Sequence, residues 1–377
     1  MSRWLGNRQV LVEQADLYRD LAGRGDLREL SRAVMRAACA NGSMTGVGVE
    51  NMELLRALPD DDRLELAGIW ARWYAHVDDD WTAEEFRRDL EYLRTELLMV
   101  ASGVARGLDG DLLAAERHAE LCRLRDEYFV WSTHRIWELA DAELAAGRAP
   151  DAAVLAAFRR TGAAANTPGL GRTHVSANGS EPGLRKLLAG FPGPVLNSGE
   201  PWADQALEEA ASGGEPWLRL LAHAAPATAG TPSAKWRRTG RGLLDAVGPE
   251  EARSALLRWF ESAALDRTVP LRGHPHLPFD VNACFDVYNS HTLRGLAWML
   301  SFLPPDPDTV HALVGLVETS LDHRSGDVPR SLHVAEAGIV ALSLTDDRTA
   351  RSELESLSKW VTHKGALLRI GKALAGR

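Results

Sequence analysis

Apolar residues recur along this chain with a period close to 3.6, and no segment alternates as a half-buried strand would. Phe86, Leu90, Leu93, Leu97, Val100 and Val104 step by four and three in turn, so they share one helix face. Thr82 stands where an N-cap belongs, and Glu85, three residues on, completes a capping box. Gly107 to Gly110 breaks the pattern. A second stripe then runs through Leu121, Leu124, Tyr128, Trp131, Ile136 and Leu139. Two amphipathic helices joined by so short a break predict a long antiparallel hairpin over 82–146, its second arm spanning 111–146. Segments around 8–22, 26–40 and 60–76 carry helical patterns as well.

Between about 161 and 201 the character changes. Thr167-Pro-Gly-Leu-Gly171, Asn178-Gly-Ser180, Pro182-Gly183 and Gly190-Phe-Pro-Gly-Pro194 are turn and breaker signals. The division expected is an N-terminal helical region over 1–165, a linker over 166–200 and a second helical region over 201–377. In the second region, Ser233 to Val247 and Pro249 to Ala264 meet at Gly248. His291 to Leu303 and Asp308 to Leu321 flank Pro304-Pro305. Arg330 to Leu344 and Arg348 to Trp360 follow, and a last helix starts at Lys364. The later pairs begin about 40 residues apart, a spacing typical of HEAT-type repeats. An irregular insert over 266–289 interrupts the series, and inserts of that length are often functional. The fold class expected is all-α: antiparallel helix pairs, with a HEAT/armadillo-like α-solenoid in the C-terminal half.

Composition narrows the class. With 45% hydrophobic and 25% charged residues in 377, a substantial core is expected rather than disorder. No apolar run approaches the length of a membrane span, and the N-terminal residues turn charged too early for a signal peptide, so a soluble, cytoplasmic chain without membrane partners is expected. Cys39, Cys122 and Cys284 are few, odd in number and far apart, which fits a reducing compartment. Only five of 43 basic residues are Lys, a bias of high-GC bacterial genomes. The net charge of -9 sits mostly in residues 1–165, with 21 basic and 29 acidic groups, and this disfavours a general phosphate-binding role.

Three phrases carry a resemblance: Thr231-Pro-Ser-Ala-Lys-Trp236 with Asp245-Ala-Val-Gly248 and Leu256-Leu-Arg-Trp-Phe260; Asn289-Ser-His-Thr-Leu-Arg-Gly-Leu-Ala-Trp298; and Val328-Pro-Arg-Ser-Leu-His-Val334. In order and character they resemble the HEAT-like helical region of large bacterial proteins of unknown function. Some of those carry a tryptophan-glycine-arginine module and are loosely labelled molybdate-regulator-like. The resemblance covers about residues 200–377 and implies a fold, not an activity.

The chemistry on offer is sparse. His274, His276, Asp280 and Cys284 in the insert are metal-ligating types at a spacing that matches no named site, and Pro275 and Pro278 explain the stretch without a metal. Lys235, Trp236, Arg238 and Arg241 put charge and one aromatic on a helix, suited to a phosphate or base but equally to a solvated face. Asn289, Arg294 and Trp298 open one helix, with Asn289 placed to cap it. Arg294, Arg330 and His333 either tie helices together or line a shared surface. Asp60-Asp-Asp62 and Asp78-Asp-Asp80 fit helix ends better than metal sites. Walker, nucleophile-elbow, HExxH and dinucleotide patterns are missing, and no cofactor is expected. The function expected is a protein-interaction or scaffold module without catalysis. The alternative is a HEAT-like nucleic-acid-binding protein or a base-excision, DNA glycosylase-like enzyme, with Lys364, Arg369 and Lys372 adding charge.

Overall fold

The computed structural model describes all residues except 1, 41–46, 78–89, 111, 132–134, 165–174, 176–181, 192–194, 228, 324–327, 346 and 377. Among the described residues every regular element is an α-helix, and the one β-feature is an isolated bridge between Glu127 and Arg272. None of these helices is long and apolar enough to cross a membrane. The chain divides into two compact units. Unit 1 takes Met1–Arg125, Val130–Gly162 and Arg172–Gly190; unit 2 takes Asp126–Phe129, Ala163–Gly171 and Phe191–Arg377.

Unit 1 holds α1 (Ser2–Gly23), α2 (Leu27–Ala40), α3 (Val49–Arg56), α4 (Asp60–Ala75), α5 (Leu90–Val104), α6 (Ala114–Cys122), α7 (Trp137–Ala145), α8 (Ala152–Ala163) and α9 (Pro182–Ala189). The stripe on α5 is inward: Leu93, Leu97, Val100 and Val104 are buried. The Thr82 cap and the Asp78–Asp80 cluster lie outside the described residues. Asp60, Asp61 and Asp62 form the first turn of α4, where acids meet the positive helix end, and Asp60 pairs with Arg63 at 2.9 Å.

The expected long second arm over 111–146 is corrected by the structure. α6 ends at Cys122, and α7 begins at Trp137. The reason lies in the hydrogen bonds of the intervening residues. Tyr128 N donates to Arg272 O at 3.0 Å and Arg272 N donates to Asp126 O at 2.6 Å, so this backbone is paired outside any helix. Tyr128 is buried, and its hydroxyl donates to Phe285 O at 3.2 Å. Its place on the apolar stripe reflected burial in unit 2 rather than a helix continuing in unit 1.

Buried charge ties unit 1 together. Arg117 and Glu143 pair at 2.6 Å with both side chains almost wholly buried, and Arg148 reaches the same carboxylate at 2.8 Å. Burial pushes Glu143 up, but hydrogen bonds from Arg148 and Arg117 outweigh it and hold the carboxyl below its usual range.

Unit 2 contains α10 (Pro201–Gly213), α11 (Glu215–Ala224), α12 (Ala234–Val247), α13 (Pro249–Ser262), α14 (Asn289–Leu300), α15 (Pro307–Leu321), α16 (Leu332–Leu344), α17 (Arg348–Trp360) and α18 (Lys364–Ala375). Their starts follow local chemistry. Proline opens α10, α11, α13 and α15, where its missing N–H costs nothing. Ser233, Asp306, Ser331 and Asp347 accept amide hydrogen bonds as N-caps. α10, α13, α15 and α17 pack in succession, as do α11, α14, α16 and α18. One apolar core runs through both series, with Trp202, Trp259 and Trp298 almost wholly buried.

Gly295 of α14 packs directly against backbone. A Cβ there would lie 2.5 Å from the Ala224 carbonyl oxygen and 2.6 Å from its Cα, and backbone cannot yield as a flexible side chain can. Gly315 on α15 faces open space. Gly295→Ala is therefore expected to destabilise the protein by about 1–3 kcal/mol. Gly315→Ala is expected to be neutral or to stabilise by up to about 1 kcal/mol through helix propensity. Paired thermal melts check this, and equal midpoints for the two variants would contradict the packing argument.

Candidate functional site

The insert is anchored in unit 2. Arg272 bridges to Glu127 and pairs with its carboxylate at 2.8 Å, and the Asn282 side chain bonds both the N–H and the carbonyl of Leu271. Beyond it lies a knot of buried polar groups. Asn289 Oδ1 accepts from Asn197 N at 2.7 Å, and its Nδ2 donates to Asn197 O at 2.9 Å and to Glu200 Oε2 at 2.8 Å. Glu200 Oε1 accepts from Asp286 N at 2.8 Å, and Arg267 stands 3.7 Å from the same oxygen. Asp286 Oδ1 accepts from Tyr288 N and Asn289 N at the start of α14. Burial pushes the Glu200 carboxyl up, Arg267 opposes, and Asp286 adds to the rise. Asn289, read from sequence as an N-cap or a loop-ending residue, is the first residue of α14, and the Asp286 carboxylate accepts from the Tyr288 and Asn289 amides at that start.

Next to this knot is a cavity of about 130 Å³. Phe279, Phe285, Val328, Pro329 and Leu332 give it apolar walls. Its polar groups come from helix starts: Ser290 and His291 from the first turn of α14, His333 from that of α16, and His363 from the N-cap of α18. Cys284 and Arg330 complete that side. Burial, with Arg294 and His333 adding to it, pushes His291 down to about 4 against a small opposing effect of Asp286, so its imidazole is neutral near pH 7. Burial, then Asp280, pushes the Cys284 thiol up to about 11 despite Arg330.

The residues singled out by sequence fall into three places. Arg330 and His333 meet at the cavity, where Arg330 lies over the Phe285 ring at 4.5 Å and donates to Ala264 O and Leu265 O. Asn289, Arg294 and Trp298 are buried along α14, with Arg294 donating to Ala229 O. Lys235 and Arg238 are exposed on α12, apart from both groups. Trp236 is not offered to a base. His223 stacks on it at 4.4 Å, and Trp298 and Phe302 meet it edge-on. Of the metal-ligating set, His274 and His276 lie with ring centroids 5.0 Å apart, Asp280 turns to Asn282 N, and Cys284 faces the cavity. Among the described residues no three His, Cys, Asp or Glu side chains gather to hold a metal ion.

Sequence reasoning missed His291 and His363. A signal was present: a histidine stands at the start of each of α14, α16 and α18.

No family model, no curated protein and no solved structure matches this chain.

Two outcomes follow from this geometry. Asn289→Ala removes three hydrogen bonds and strands the Asn197 amide, so it is expected to cost about 2–4 kcal/mol in a denaturant titration. A cost below about 0.5 kcal/mol would mean that the knot does not hold the unit. Cys284, with its thiol held near 11, is expected to alkylate about two orders of magnitude slower than a free cysteine at pH 8. Its rate should climb up to about pH 11, as mass spectrometry of timed iodoacetamide reactions will report.

Proposed function

We propose that residues 201–377 form a HEAT-like α-solenoid of antiparallel helix pairs that binds a protein partner in the cytoplasm, acting as an interaction or scaffold module without catalysis. The observation that carries this reading is the succession of helix contacts: α10, α13, α15 and α17 in one series, α11, α14, α16 and α18 in the other. Stacks of this kind give each helix pair a face for its neighbour and leave an extended surface over. The three sequence phrases that resemble the HEAT-like bacterial region fall at the starts and within the length of helices of this region, and agree with it. Exposed apolar side chains supply contact surface, Trp360 at the end of α17 and Leu368 on α18 among them.

The nucleic-acid alternative has one observation on its side. Lys235, Arg238 and Arg241 are exposed together on α12, three cations at helical spacing. Against it stands the covered Trp236 ring, which removes the aromatic that base stacking would need.

The test is capture with the tagged full chain from its native cells, scored against the Trp360→Glu, Leu368→Glu double variant, followed by reconstitution with the purified partner. The expected result is one protein enriched on the native chain, reduced about tenfold on the variant, and forming a defined complex by light scattering. Enrichment of nucleic acid in place of protein, with binding that falls steeply with salt, would overturn the reading in favour of the alternative. Recovery of neither would also overturn it.

A further inference from the structure

The cavity beside the starts of α14, α16 and α18 is lined by many polar residue types, yet most of their polar atoms are already spent on the protein. The Tyr128 hydroxyl donates to Phe285 O and accepts from Val287 N. Ser290 Oγ donates to Asp286 O, and Ser331 Oγ accepts from Val334 N as the cap of α16. Arg330 donates to Ala264 O and Leu265 O and lies over the Phe285 ring. What is left to face a guest is mostly hydrocarbon: Phe279, Phe285, Val287, Val328, Pro329 and Leu332. Phe279, Leu332 and His333 are half-buried, so a guest has a way in from solvent.

Size and charge narrow the guest. The cavity measures about 130 Å³. Water would fill it with about four molecules, each needing two to four polar partners, and the lining has few to give. A dry apolar cavity of about 150 Å³ takes up a benzene-sized molecule instead. A charged guest finds no counterpart. No carboxylate lines the cavity among the described residues, and a cation would stand against Arg330. An anion would shed its water for donors mostly in use, because the first amides of α14 and α16 bond Asp286 and Ser331. His291, pushed down to about 4, is neutral near pH 7, and Cys284, pushed up to about 11, keeps its proton.

We propose that this cavity binds a neutral apolar molecule about the size of a benzene ring, held by the phenylalanine and aliphatic walls and not by charge. The inference stands on the cavity alone and goes beyond the partner-binding reading, so either can fail without the other.

Toluene, benzoate and benzylammonium share one ring and differ in charge. Each is titrated into the full chain and followed by the NMR shifts of valine and leucine methyl groups and by the rise in thermal midpoint. Toluene is expected to bind with a dissociation constant of about 1 mM or tighter, and about tenfold or more tighter than either charged analogue. Its shifts are expected at Val287, Val328 and Leu332. Leu332→Trp, which fills the cavity, is expected to abolish binding. Should that variant fail to fold, the location of the shifts on the native chain carries the test. Benzoate or benzylammonium binding as tightly as toluene overturns the proposal. So do toluene shifts confined to other methyl groups, toluene binding unchanged by a folded Leu332→Trp, or no binding at about 5 mM toluene.

Discussion

Unit 2 depends on a buried exchange of hydrogen bonds between the loop before α10 and the loop before α14. The Asn289 side chain satisfies both backbone groups of Asn197, Glu200 takes the Asp286 amide, and Arg267 lies against the Glu200 carboxylate. Two carboxylates in so dry a place would be costly alone, and the cost is offset because each carboxylate oxygen has a donor. The arrangement fixes where α14 begins. With it are fixed Ser290 and His291 at one wall of the cavity and Phe285 at another. A helix bundle held by apolar contact alone tolerates sliding; a network of directional bonds does not.

The same network builds the residues just before α10 into unit 2. Gly199 N bonds the Asp204 carboxylate, Gly199 O accepts from Thr268 N, and Glu200 is almost wholly buried. Breaker residues mark a chain that changes direction, and they are silent on whether the turning backbone is exposed or built into a core.

Much of the helical content was legible because it is written in local signals. Pro249 after Gly248, Asp306 before Pro307 and Asp347 before Arg348 give starts that the structure places within a residue or two. α10 and α11 were harder to see. The buried face of α10 is largely alanine, Ala203, Ala206 and Ala210, and small residues leave a weak apolar stripe; α11 is only ten residues long, too short to show a long one. Tyr128 shows the opposite failure, a strong apolar position whose partner, Phe285, lies 157 residues away. Periodicity reports that a residue is buried, not against what. The candidate site was legible in half. Arg330, His333 and Cys284 stood out as chemistry-bearing types, whereas His291 and His363 acquire meaning only when successive helix starts are brought to one place.

That convergence also bears on what kind of site this is. Catalysis by a histidine set asks for an imidazole that titrates near neutrality and an oriented partner to exchange protons with. His291 is pushed down to about 4, and Cys284 up to about 11, so one is a neutral acceptor and the other an unionised thiol across the ordinary range. Burial is the leading cause in both cases, and Arg294, His333 and Asp280 reinforce it. Groups tuned away from neutrality in opposite directions keep their protonation states through small shifts in pH.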